Sequence, residues 1–211
     1  MNGSYEALCR YFQSTTKLVA PYINYIPSPL DSLGHGIEQL VQRGVIDATK
    51  PFLDAGSGDG RVVALASLFG LRSVGVDYND IFCDIAKRNI EILIEKGALN
   101  GNVPTIIGGN FESDGTYERH GMRFKDFGTV YNFQTKEELI AEKIARQSSP
   151  GTVFLLLRFW NDDSSFKGLV LEEIIELPST QLPTRGLYVY RRRNRKNIYM
   201  RVLQPLRRWF Q

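Results

Sequence analysis

Apolar positions along the chain fall into compact runs and helical stripes that alternate with one another. The runs at 52–54, 74–76, 105–107, 129–133 and 153–159 read as strands, and 61–68, 81–96 and 137–146 read as the helices between them. Such alternation builds a parallel sheet covered on both faces. Two later runs, 170–177 and 186–192, read as strands that pair antiparallel at the sheet edge. Upstream, 5–17 reads as a short helix. Leu33, Ile37, Leu40 and Val41 form one apolar stripe over a helix at 30–43 that stops at Gly44. Between these helices, Pro21, Pro27 and Pro29 constrain themselves and the residues before them, so an extended segment is expected over 20–29. The loop at 110–126 is long and polar, with Gly115 and Gly121, and admits either a short helix or mobility.

The first strand empties into Asp54-Ala55-Gly56-Ser57-Gly58-Asp59-Gly60, and the second ends at Asp77. Glycines at 56, 58 and 60 let a backbone approach a ligand closely and take positive φ. A carboxylate about 20 residues after such a turn can accept hydrogen bonds from ribose hydroxyls. A pyrophosphate-binding turn would carry a further glycine where this chain has Arg61, and Asp54 ahead of the glycines would repel a pyrophosphate. The same acid suits a ligand with an ammonium and a sulfonium, which describes S-adenosylmethionine.

On these two motifs the chain resembles the class I S-adenosylmethionine-dependent methyltransferases. That resemblance implies an α/β fold, a doubly wound, mostly parallel seven-stranded sheet of Rossmann-like methyltransferase type with an antiparallel edge strand. It also implies S-adenosylmethionine as cofactor, held by Asp54, Gly56, Gly58 and Asp77. Asn110 and Phe111, after the third strand, stand where the family contacts adenine, with an amide here in place of the usual acid. After the fourth strand, Tyr131-Asn132-Phe133-Gln134 lacks the paired prolines of the amino-methyltransferases of DNA and glutamine. Tyr131 is the candidate catalytic residue, as a lining of the methyl-transfer channel; its alternative is an ordinary strand position.

Tyr25-Ile26-Pro27-Ser28-Pro29, Pro150-Gly151 and Leu187-Tyr188-Val189-Tyr190 extend the resemblance to a smaller group, the archaeal and mitochondrial (ATP synthase c-subunit) protein lysine methyltransferases. It implies that Tyr25 and Ser28 close over the cofactor and that the acceptor is a protein lysine. RNA or small-molecule methylation on the same fold is the alternative, as is a non-catalytic cofactor-binding scaffold.

Composition narrows the picture further. A chain of 211 residues is long enough for one full core. Its expected divisions are N-terminal helices and a proline-containing strap at 1–50, the cofactor-binding catalytic domain at 51–190 and a basic aromatic tail at 191–211. No basic segment followed by an apolar one opens the chain, and Cys9 and Cys83 are far apart, so a cytoplasmic protein with reduced thiols is expected. His35 and His120 stand apart from other ligand-type residues, and no metal is expected. The net charge of +3 divides unevenly, because residues after Glu176 contain nine basic side chains and no acid, which leaves −6 for the rest. Three readings of the tail stay open. It contacts RNA phosphates, it lies on an anionic membrane with Trp209 and Phe210 inserted and makes the protein peripheral there, or it is a solvated strand end.

Overall fold

The computed structural model describes residues 3–23, 25–158, 165–177 and 185–193. Five strands run parallel: β1 (Phe52–Ala55), β2 (Ser73–Asp77), β3 (Thr105–Gly108), β4 (Thr129–Phe133) and β5 (Val153–Arg158). The last two, β6 (Leu169–Leu177) and β7 (Arg185–Arg192), are antiparallel, and the sheet order is β3-β2-β1-β4-β5-β7-β6. β7 is therefore interior and β6 forms the edge. The order reverses between β1 and β4, and a crevice opens outside the carboxyl ends of strands at such a switch point.

Strand alternation sorts the core into two layers. Phe52, Tyr131, Val153, Leu155 and Val189 face α1 (Gly3–Ile23), α2 (Leu30–Gln42) and α3 (Arg61–Leu68), together with the later turns of α4 (Asp80–Glu95). Leu53, Val130, Phe154, Leu156 and Tyr188 face the opposite layer. That layer is made by α5 (Asp114–Glu118), a 3-10 turn (Phe124–Asp126) and α6 (Glu137–Gln147). Side chains with period two on strands buried on both faces give this division directly. The helices of 1–50 thus share one core with the sheet.

One expectation changes, one alternative is resolved and one lies partly outside the described residues. The extended segment begins later than the prolines suggest: α1 carries through Pro21 to Ile23, and only 25–29 is extended. Proline has a helical φ, and near a helix end its missing N–H affects one bond rather than a continuing ladder. The loop at 110–126 contains α5 and the 3-10 turn, held by Lys143 Nζ, which donates to the Glu112 carbonyl (2.9 Å) and to Asp114. β5 ends at Arg158; residue 159 and the tail beyond 193 lie outside the described residues.

Two helices upstream of the sheet are joined by one tyrosine. The Tyr5 hydroxyl lies 2.8 Å from both the Leu30 and Asp31 carbonyls at the start of α2, and its ring fills the space beside Gly34. A Cβ on Gly34 would meet that ring at 2.4 Å. In an exposed helix Gly→Ala stabilises by about 0.5–1 kcal/mol. Here Gly34→Ala is expected to destabilise by about 1–3 kcal/mol, as overpacking does. Chemical denaturation measures it, and a stabilised variant would show that α1 and α2 are not packed this way.

Candidate functional site

The glycine turn sits where β1 ends and α3 begins. Gly56 and Ser57 both donate their N–H groups to the Val76 carbonyl (2.9 and 3.0 Å), which ties the turn to β2. Gly58 N–H donates to Asp77 Oδ2 at 2.9 Å, and Asn79 N–H donates to Asp77 Oδ1 at 3.0 Å. Asp77 is thereby fixed at the strand end with both oxygens engaged. Gly58 has φ +51°, and a Cβ there would lie 2.7 Å from the Tyr25 ring. Gly56 has φ +92° and meets nothing closer than Thr135 at 3.8 Å, so its backbone stands open.

These groups line one cavity of about 320 Å³. The structure brings Tyr25, Ser28, Asp54, Gly56, Gly58, Asp77 and Phe111 together there. It does not bring Asn110, which is exposed outside the cavity with Oδ1 accepting from Glu112 N–H at 3.0 Å. Tyr131 is also not part of the lining. It is buried behind Ser28, with its hydroxyl 2.8 Å from Ser28 Oγ and its ring stacked on Phe52. Tyr131 fits a prop for the strap rather than a channel wall.

Val62, Tyr78, Phe82 and Thr135 line the cavity from outside the motifs read in the sequence, and Phe133 and Gln134 join them at the end of β4. Tyr78 is 79% exposed directly after Asp77, so inspecting the residue after each strand end would have found it. Gln134 and Lys136 hold φ of +52° and +51°, the two non-glycine residues with positive φ among those described. Such backbone costs about 1–3 kcal/mol per residue and clusters at functional sites. A larger cavity of about 670 Å³, between α6 and residues 165–168 and 192–193, does not touch the glycine turn.

Charge is unevenly matched beneath the turn. Asp54 is buried, and its oxygens accept no hydrogen bond from the described residues. Burial first, then the neighbouring Asp77 and Asp59, push its carboxyl well above the ordinary range. Asp59 has a partner, because Arg61 Nη2 donates to it at 2.6 Å. Burial pulls the Arg61 guanidinium down, and the hydrogen bonds and charge of Asp59 outweigh it. Tyr25 is raised by burial first and by Asp59 next. The result is a half-closed cavity with one carboxyl that lacks a cation. Among the described residues no cluster of His, Cys, Asp or Glu is placed to hold a metal, and no helix is long and apolar enough to cross a membrane.

The chain matches no protein-family model, and no curated protein matches it in sequence. Solved structures do resemble it. An RNA methyltransferase from Salinibacter ruber in complex with S-adenosyl-L-homocysteine superposes with TM-score 0.56 at 20% identity, covering 80% of this chain and 95% of that one. The magnesium protoporphyrin IX methyltransferase from Synechocystis PCC 6803 with bound SAM gives 0.52 at 15%, covering 91% and 98%. The B. subtilis tRNA methyltransferase TrmK gives 0.52 at 13%, covering 77% and 68%. The chain has the seven-stranded, Rossmann-like fold of these methyltransferases.

The Asp54 carboxyl gives a prediction for stability. A folded-state pKa above the unfolded value means that stability is intact below the ordinary carboxylate range, near pH 4, and falls as pH rises through the raised value. Asp54→Asn removes that loss. It is expected to raise the thermal midpoint at pH 7 by a few degrees, each kcal/mol being about 2–4 °C in a domain of this size. The gap should close as pH falls toward 4; midpoints that stay parallel across that range would contradict a neutral buried Asp54.

Proposed function

We propose that the protein is an S-adenosylmethionine-dependent methyltransferase and that its acceptor is the ε-amine of a protein lysine. The observation that carries the cofactor reading is Asp54, a buried carboxyl without a donor that faces a cavity beside an open glycine turn. A cation completes it. An ammonium beside Asp54 and ribose hydroxyls at Asp77 fit the residues present, with Gly56 and Gly58 letting the ligand lie on the backbone. When bound, the group supplies an electrophilic methyl on a sulfonium.

The aromatic walls of the cavity are Phe111, Phe133 and the Tyr25–Phe82 pair, whose ring centroids are 4.9 Å apart. A lysine amine with pKa about 10.4 is roughly one part in 10³ neutral at physiological pH, a cost of about 4 kcal/mol. Aromatic, water-poor walls lower that cost by disfavouring the ammonium, and a fixed approach supplies further acceleration. A bound S-adenosylmethionine would supply its methyl to the amine's lone pair, and the amine proton would leave to solvent. The cavity's two carboxylates, Asp54 and Asp77, face no uncommitted cation there, since Arg61 is held by Asp59. With both acids taken by the cofactor, what the lining contributes to the choice of acceptor is the lack of an uncommitted cation for a phosphate.

The alternative, RNA, draws on the basic tail and on the RNA and tRNA methyltransferases among the similar structures. The described start of the basic run supports it weakly. Arg191 donates to Glu172 (2.7 Å) and to the Gly151 carbonyl, and Arg192 donates to the Ala145 carbonyl, so both arginines hold the body. Arg191 also lies opposite Val153, at the start of β5, whereas the cavity lies at the strand ends. Phe133 of the cavity lies opposite Leu157, four residues along β5 from Val153, which is about 13 Å along the strand.

The test is transfer from methyl-labelled S-adenosylmethionine by the pure protein into a cell lysate. The expected label is removed by protease and prevented by prior blocking of lysine amines. Label removed by ribonuclease would overturn the lysine assignment in favour of RNA, and tight cofactor binding with no transfer would favour the scaffold.

A further inference from the structure

At the cavity wall, where Arg61 is part of the lining and Asp59 lies behind it, the two form an ion pair whose side chains are 7% and 4% exposed. Arg61 Nε and Nη2 both donate to the carboxylate, at 2.9 and 2.6 Å. A pair this buried is weak evidence for stability, because apolar residues of like volume often serve as well. What apolar residues could not do is hold the partners that this pair holds. Asp59 Oδ1 accepts from the Tyr25 hydroxyl at 2.9 Å, and Arg61 Nη1 donates to the Ser28 carbonyl at 3.3 Å. Both partners belong to the extended strap at 25–29. The guanidinium also lies 5.1 Å from the Phe12 ring centroid on α1 and 5.8 Å from that of Tyr25.

The fixed half of this arrangement belongs to the glycine turn. The Asp59 carbonyl accepts from Asn89 Nδ2 on α4 at 2.9 Å, and Arg61 opens α3. The other half is the strap, whose Tyr25 ring lies over Gly58 and against Phe82. Lifting the strap would break its bonds to these two residues, the 3.4 Å one from Asp59 N–H to the Tyr25 hydroxyl included, and leave the ion pair itself intact.

We infer that Asp59 and Arg61 are positioning residues that latch the strap over the cavity and so set how long a bound S-adenosylmethionine or its demethylated product remains. The inference rests on the cofactor reading above. It assigns the last two non-glycine residues of the turn region a task apart from ligand contact. The pair acts on the ligand through Tyr25 and Ser28.

Displacement kinetics of S-adenosylhomocysteine test it, with hydrogen exchange over 25–29 measured on the ligand-free protein. Tyr25→Phe keeps the ring on Phe82 and Gly58 and removes the phenol's bonds to Asp59, to the carboxylate and from the backbone N–H. It is expected to speed dissociation about ten-fold and to raise exchange over the strap. Asp59→Leu/Arg61→Met, which leaves neither an unpaired charge nor a side-chain acceptor for the phenol, is expected to do the same. Adding Tyr25→Phe to that double variant should then add little, because the partner of the phenol is already gone.

Tyr25→Phe alone decides the matter if the double variant does not fold. Wild-type dissociation and exchange in Tyr25→Phe would overturn the latch, as would a full ten-fold effect added on top of the double variant. Wild-type protein that binds neither S-adenosylmethionine nor S-adenosylhomocysteine would overturn the cofactor reading and this inference with it. Those outcomes are distinguishable, because the latch fails alone only where the wild type binds.

Discussion

The site depends on how three buried carboxylates are compensated around one glycine turn. Removing a carboxylate from water costs several kcal/mol unless a charge or hydrogen bonds replace the lost hydration. Asp59 is matched by the Arg61 guanidinium. Asp77 is matched by the N–H groups of Gly58 and Asn79. Asp54 has neither, and it lines the cavity beside Asp77. The same turn therefore spends its donors on structure at two acids and leaves the third for a ligand. Perturbed carboxyls in clefts mark functional sites for this reason.

The rest of the architecture serves that arrangement. The parallel strands bring the ends of β1 and β2 side by side, with Asp54 paired to Gly75 and Ala55 to Val76 in register. Gly75 is what lets them close up, since a Cβ there would meet the Ser57 side chain at 2.8 Å. On the other flank, β4 delivers Phe133, Gln134 and Thr135 across the cavity from the turn. Asn132 joins the two by donating Nδ2 to the Ala55 carbonyl at 2.7 Å.

Much of this was legible along the chain, and what was not has a physical reason. All seven strands stand where the sequence predicts them, most plainly those buried on both faces such as β1, β2 and β5, which write continuous apolar segments. Asp54, Gly56, Gly58 and Asp77 converge because their spacing is local to one βαβ unit. Asn110 and Tyr131 were harder, since a strand fixes which face a residue takes but not what covers it. Ser28 and Phe52 cover Tyr131, and both contacts are long-range. The Asp59–Arg61 pair is nearly adjacent in sequence, yet its meaning comes from Tyr25 and Phe12, far upstream. Pro21 misled for a different reason, as a helix end tolerates proline that a helix centre does not.

The central claim is that Asp54 awaits a cation. Calorimetric titration with S-adenosylmethionine near neutral pH, in buffers of differing ionisation enthalpy, measures the protons exchanged on binding. A cationic ligand that turns a neutral buried carboxyl into a carboxylate releases a proton, so the account predicts net release in the wild type and its loss in Asp54→Asn. Proton-neutral binding by the wild type, or the same release from Asp54→Asn, would contradict it.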